Sequence, residues 1–158
     1  EDRQRHERQS QPELLHDGSA SVIRSATTDD IPALLVLGEQ FHLASPYAHL
    51  PFDTVRVTNT LNAAMNDGIV VVHGDPVDGM AGAIKGPLWF ADGFAAQELF
   101  LWGRGGKELR LALEAWARRE GCGTFSMVCL ENERFPVISR MYRMAGYHPT
   151  EHHFVKSL

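Results

Sequence analysis

The sequence predicts an α+β (or α/β) domain with one mixed central β-sheet flanked by about four helices, in the order β-α-α-β-β-β-α-β-α-β. Three observations predict it. Short apolar runs of strand length alternate with longer stretches whose apolar residues recur at helical spacing. Two of those runs, 69–73 and 80–85, flank the turn sequence GDPVDG and read as a hairpin. A further run, 95–102, stops at Gly103-Arg104-Gly105-Gly106, and a helical stripe begins straight after it.

Residues 22–26 form the first predicted strand. The next segment, TTDDIPALLVLGEQFHLAS, carries helix-start chemistry. Thr27 or Thr28 can cap it, Asp29 and Asp30 suit its positive end, and Pro32 is tolerated in a first turn. Its apolar stripe is Ile31, Leu34, Leu35, Leu37 and Phe41. After a loop with two prolines, residues 53–65 give a second helix with Asp53 or Thr54 at its cap. The hairpin follows, then the connection GPLWFADGF, then the strand 95–102. Residues 107–120 form the helix after the glycines, with Leu109, Leu111, Leu113 and Trp116 apolar. A strand at 124–130, a helix at 136–145 and a closing strand at 148–156 complete the domain.

With 158 residues, 44% hydrophobic and 22% charged, residues 22–158 suffice for one globular core. Residues 1–21 are rich in Gln, Arg, Glu, His and Ser, and Leu14 and Leu15 are their only large apolar side chains. This composition marks a polar tail, which needs another protein chain to lie against if it is to be ordered. The chain opens on Glu1 in place of methionine, so the translation start is expected upstream. A net charge of −5 argues against a nucleic-acid or anionic-membrane partner, which calls for a basic face. No apolar stretch approaches the ~20 residues of a membrane span, and no secretory core region is present. Two cysteines, Cys122 and Cys129, do not make a disulfide scaffold, so a reduced, cytoplasmic setting is expected. Eight histidines raise the question of a metal. His152 and His153 are adjacent in a predicted strand and point to opposite faces, and His42 and His49 have no partner spacing, so no metal is expected. The GRGGKEL stretch lacks the spacing of a nucleoside-triphosphate loop.

The glycines after residue 102 leave bare backbone at the mouth of a helix. The first turn of a helix has unpaired N–H groups and a partial positive charge, which suits an anion. The other reading is a tight turn that needs positive φ and no ligand. Both stay open on the residues alone.

Three stretches resemble the GNAT family of N-acetyltransferases. IRSATTDDIPALLVLGEQF is similar to the family's first strand and helix, written I-R-x-A-x-x-x-D. AQELFLWGRGGKELRLALEAWARREGC is similar to its fourth strand, pyrophosphate loop and third helix. SRMYRMAGYHPTEHHFVKSL is similar to its tyrosine-bearing helix, G-[FY] turn and closing strand. The likeness spans nearly all of 22–158 and leans toward members from phage and prophage genomes.

The resemblance implies a GNAT fold and an acetyl-CoA-dependent transfer of acetyl to a small-molecule or protein amine. It implies that Gly103, Arg104, Gly105, Gly106 and Lys107 hold the cofactor's pyrophosphate. Against the family pattern [QR]-x-x-G-x-[GA], Lys107 and Leu109 stand where small residues are usual, and the loop is short. The backbone N–H groups of Leu101 and Trp102 would meet the thioester oxygen. Tyr142 matches the tyrosine that protonates the leaving sulfur; its other reading is a packed amphipathic tyrosine. Glu98 on the fourth strand is the candidate base, or else a solvated strand residue. Asn132 is a secondary cofactor contact. The alternative function is a catalytically degenerate GNAT-fold binding or structural part of an assembly such as a phage virion.

Overall fold

A computed structural model describes residues 22–156. Ten elements follow in chain order: strand β1 (Ile23–Ser25), a 3-10 turn (Thr28–Asp30), helices α1 (Ile31–Leu43) and α2 (Thr54–Asp67), strands β2 (Gly68–His73), β3 (Gly79–Pro87) and β4 (Phe94–Gly103), helix α3 (Gly106–Arg119), strand β5 (Cys122–Ser126) and helix α4 (Phe135–Met144). The strands lie in the order β1-β2-β3-β4-β5. The first four pair antiparallel and β5 pairs parallel to β4, so the sheet is mixed, as expected.

The sheet is covered on both faces, which is why β2 reads as an unbroken apolar run and not as an alternation. Val70, Val72 and Met80 face α1 and α2, where Leu34, Leu37, Leu61 and Ala64 close one core. Val71, Ala81 and Ala83 face α3, where Leu109, Leu113, Trp116 and Ala117 close the other. The small side chains of β3 let α3 approach the sheet closely.

Local chemistry sets the first elements. Asp30 accepts both guanidinium nitrogens of Arg24 at 2.7 Å and the Thr27 N–H at 2.8 Å. The I-R-x-A-x-x-x-D pattern is therefore a strand-to-helix clamp. These bonds, Arg24's first, hold the Asp30 carboxyl well below the usual carboxylate range. Asp53 caps α2 through the N–H groups of Val55 and Arg56.

One expectation needs correction. Residues 148–156 form no strand: each is exposed, and Phe154 is 95% exposed. Alternating residue types there meet no partner strand, and a strand without a ladder has nothing to satisfy its backbone. Of the apolar residues of α3, Leu109, Leu113 and Trp116 fill the sheet-facing arc and Leu111 is exposed. The tail at 1–21 and its contact with another chain lie outside the described residues. Within them, no helix is long and apolar enough to cross a membrane.

Candidate active site

The site begins with a defect in β4. Gly82 stands opposite Phe100, but Ala83 stands opposite Glu98, so Leu99 is an extra residue, a β-bulge. The consequence is visible in the packing. Ala96, Glu98 and Leu101 share the α3 side of the sheet, whereas Leu99, Phe100 and Trp102 all pack on the α1–α2 core. The Phe100 ring lies over Gly82, at a distance where any Cβ would collide with it.

At the bulge the sheet splits. β4 and β5 pair only from Phe94–Cys122 to Gln97–Ser126, and from Glu98 onward β4 has no partner on that edge among the described residues. The chain after β5 runs through 127–134 without pairing to β4 and leads into α4. Successive strand residues turn their N–H groups to opposite edges. Of Leu101 and Trp102, one therefore presents its N–H to the open edge. The Trp102 side chain is committed elsewhere: its ring meets Phe41 edge-on at 5.9 Å and its Nε1–H donates to Gln40 at 3.4 Å.

Glu98 sits at the point of divergence and is only 5% exposed. Its carboxylate accepts the Val128 N–H at 2.8 Å. Burial pushes its pKa up to about 7, and the Val128 hydrogen bond only partly opposes that. The solvated-strand reading of Glu98 does not hold in this geometry. Tyr142, on α4, donates its hydroxyl to the Val128 carbonyl at 3.4 Å. The N–H and the C=O of one residue thus touch the two titratable side chains. Burial, then the Glu98 and Cys129 charges, push the Tyr142 hydroxyl well above its usual range, so it carries its proton at neutral pH. Burial followed by Glu98 also raises the Cys129 thiol, which keeps it protonated and a poor nucleophile.

Tyr142 is held by its neighbours. The G-Y turn after α4 has Gly146 at φ +91°, and the Tyr147 N–H donates to the Tyr142 carbonyl at 3.0 Å. The two tyrosine rings lie 5.6 Å apart. Tyr147 donates its hydroxyl to Glu114 of α3 at 2.8 Å and meets Phe125 of β5 edge-on. Glu114 also pairs with Arg110 and Arg118. Burial works to raise Glu114, but Tyr147 and the two arginines outweigh it and hold the carboxyl low.

The glycine loop occupies the far end of β4. Gly103 (φ +87°) and Gly105 (φ +71°) take left-handed backbone that other residues rarely adopt, so the tight-turn reading explains both. The anion reading survives beside it. Leu109 is the first residue of α3 whose N–H returns to the Gly105 carbonyl, so the N–H groups of Gly106, Lys107 and Glu108 precede the helical ladder. The Arg104 and Lys107 side chains are exposed at that mouth, while Leu109 is fully buried under the sheet. Asn132 lies after β5, in the segment that leads into α4. Its side-chain oxygen accepts the Arg134 N–H at 2.9 Å, a turn that starts α4. The exposed Trp89 and Phe90 lie on the β3–β4 connection.

Sequence reasoning missed Val128, whose role is entirely backbone and carries no side-chain signal. It also missed His73, the last residue of β2, and Asp78, in the hairpin turn, which reach the glycine loop only in three dimensions.

No protein-family model matches the chain, and no curated protein matches it. Solved structures do. A transcriptional regulator from Bacillus halodurans C-125 superposes with a TM-score of 0.69 at 18% identity, over 87% of this chain and 99% of the other. A Trypanosoma brucei acetyltransferase gives 0.66 at 18% identity over the same shares. A GNAT family acetyltransferase from Staphylococcus aureus gives 0.60 at 15% identity, over 87% and 98%. At these identities the likeness establishes the fold: the chain has the GNAT acetyltransferase fold.

Proposed function

We propose that the protein is an N-acetyltransferase that moves an acetyl group from acetyl-CoA to an amine. The observation that carries this reading is the split between β4 and β5, with Glu98 and Tyr142 on the two polar groups of Val128 and the glycine loop at the end of the same strand. The N–H groups at the start of α3, with Arg104 and Lys107, suit a diphosphate. Acetyl-CoA supplies the activated thioester. Glu98 takes a proton from the acceptor ammonium, directly or through a water, as the nitrogen bonds to the carbonyl carbon. The N–H of Leu101 or Trp102 at the open edge steadies the charge on the carbonyl oxygen. As the C–S bond breaks, Tyr142 gives its proton to the sulfur and the second proton shed by the nitrogen restores it, while Glu98 releases the first to solvent, which leaves free CoA and a neutral amide.

Residues 22–158 constitute the catalytic domain in this reading, and the reaction takes place in the cytoplasm. A second reading, a non-catalytic binding part of an assembly such as a phage particle, draws on Lys107 and Leu109, which stand where the family pattern has small residues.

Titration calorimetry with acetyl-CoA, followed by thiol-release assays over amino sugars, polyamines and peptide amines, separates the two. Binding with turnover on one amine class is expected, and Tyr142→Phe should lower turnover about 10²-fold or more while leaving the melting temperature nearly unchanged. Binding without turnover on any amine leaves the non-catalytic reading. A loss of less than a few-fold in the Phe variant makes Tyr142 structural only.

A further inference from the structure

The turn between β2 and β3 is bolted to the glycine loop at five points. The Arg104 N–H donates to the Asp78 carbonyl at 3.0 Å. Gly103 packs on that same carbonyl, and Gly79 packs on the Arg104 carbonyl, both too closely for any Cβ. Gly105 rests directly on the His73 ring, again with no room for a Cβ. The fifth point is polar: the Asp78 carboxylate meets His73 Nδ1 at 2.5 Å with one oxygen and lies 3.8 Å from Arg104 Nε with the other.

We propose that Asp78 and His73 are positioning residues for the anion-binding loop, and that they act through Arg104. This rests on the acetyl-CoA reading given above. A guanidinium has five N–H donors, and the Nε edge is distinct from the two terminal nitrogens. Asp78 engages the Nε edge, which leaves the terminal pair to fork onto a phosphate. His73 serves twice. Its ring, 14% exposed, is the floor under Gly105, and its Nδ1 holds the carboxylate in place. The Arg104 side chain is 82% exposed, so its pair with Asp78 adds little to folding stability. The arrangement therefore matters for ligand orientation, and the two effects can be separated by experiment.

The test compares Asp78→Asn and His73→Phe with the wild-type chain. Asn keeps the shape of Asp and drops the charge; Phe keeps a flat ring beneath Gly105 and drops Nδ1. Affinity is measured for three probes: acetyl-CoA, inorganic pyrophosphate, and S-acetylpantetheine, which lacks the diphosphate. Each variant should bind acetyl-CoA and pyrophosphate about five- to tenfold more weakly, the equivalent of one charge-assisted contact, with S-acetylpantetheine affinity unchanged. Melting temperatures report whether the variants fold. An equal loss on all three probes means that the turn is only scaffold, and a gain in acetyl-CoA affinity for Asp78→Asn means that Asp78 acts as a repulsive charge. Either result overturns the proposal. If the wild-type chain binds pyrophosphate with the expected dependence on Asp78 but not acetyl-CoA, the positioning role stands and the acetyltransferase reading falls. If it binds none of the three, both fall.

Discussion

Glu98 is a buried carboxyl whose charged form is penalised by its surroundings. A carboxyl with an ordinary pKa of 4.5 sits at about 7 because burial penalises its charge more than the Val128 N–H rewards it. Between those values the folded chain holds a proton that the unfolded chain has released, so this group's contribution to stability falls as pH rises from about 4.5 to about 7. The shift corresponds to an order of 3 kcal/mol. Glu98→Gln mimics the protonated form and removes the slope. Thermal melts should show the variant matching wild type near pH 5 and exceeding it near pH 8; parallel curves would place the Glu98 pKa in the ordinary range. Activity should run the other way. A base must first lose its proton, so the wild-type rate should climb through about pH 7 and level off, and the Gln variant should lose about 10²–10⁴-fold.

At the scale of the element, the loop from β4 to α3 shows how one sequence feature answers two demands. Gly103 and Gly105 are required by backbone geometry and by the closeness of Asp78 and His73, whatever binds above them. Gly105→Ala should therefore cost about 2 kcal/mol or more, from a left-handed alanine and from overlap with the His73 ring. Denaturant melts give that number directly. A cost below about 0.5 kcal/mol would mean that the turn relaxes freely and that the glycine is kept only for a ligand. The clamp at the other end of the chain is equally local. Asp30→Ala removes the Arg24 pair and the 3-10 cap together; with Arg24 42% exposed, screening limits the loss to about 1–2 kcal/mol. The Asp30 carboxyl is held low, so its stabilisation is complete above about pH 4 and fades as the pH falls further. A wild-type advantage over the Ala variant that did not shrink in acid would break the assignment.

At the scale of the whole molecule, the order of elements, the antiparallel hairpin and the helix boundaries were legible because each rests on near neighbours. Thr27 to Asp30, Asp53 with Val55 and Arg56, and the glycines after Trp102 are contacts over a few residues, and residue type alone reports them. Glu98 and Tyr142 were singled out through whole-chain likeness, since no local pattern ties together residues 44 positions apart. The bulge at Leu99 was invisible: it exists only as a mismatch between β4 and β3, and it decides which side chains turn toward α3. The loss of the last strand was equally hidden, because 148–156 has strand-like residue types but meets no strand to pair with. The sequence by itself determined the alternation of helices and strands, the caps and the bare backbone before α3, since these follow from local sterics and hydrogen bonding. Only the tertiary structure decided the split between β4 and β5, the burial that raises Glu98, and the meeting of His73, Asp78 and Arg104. Burial and electrostatic fields depend on what distant parts of the chain bring to one place, and that is set when the sheet closes against its helices.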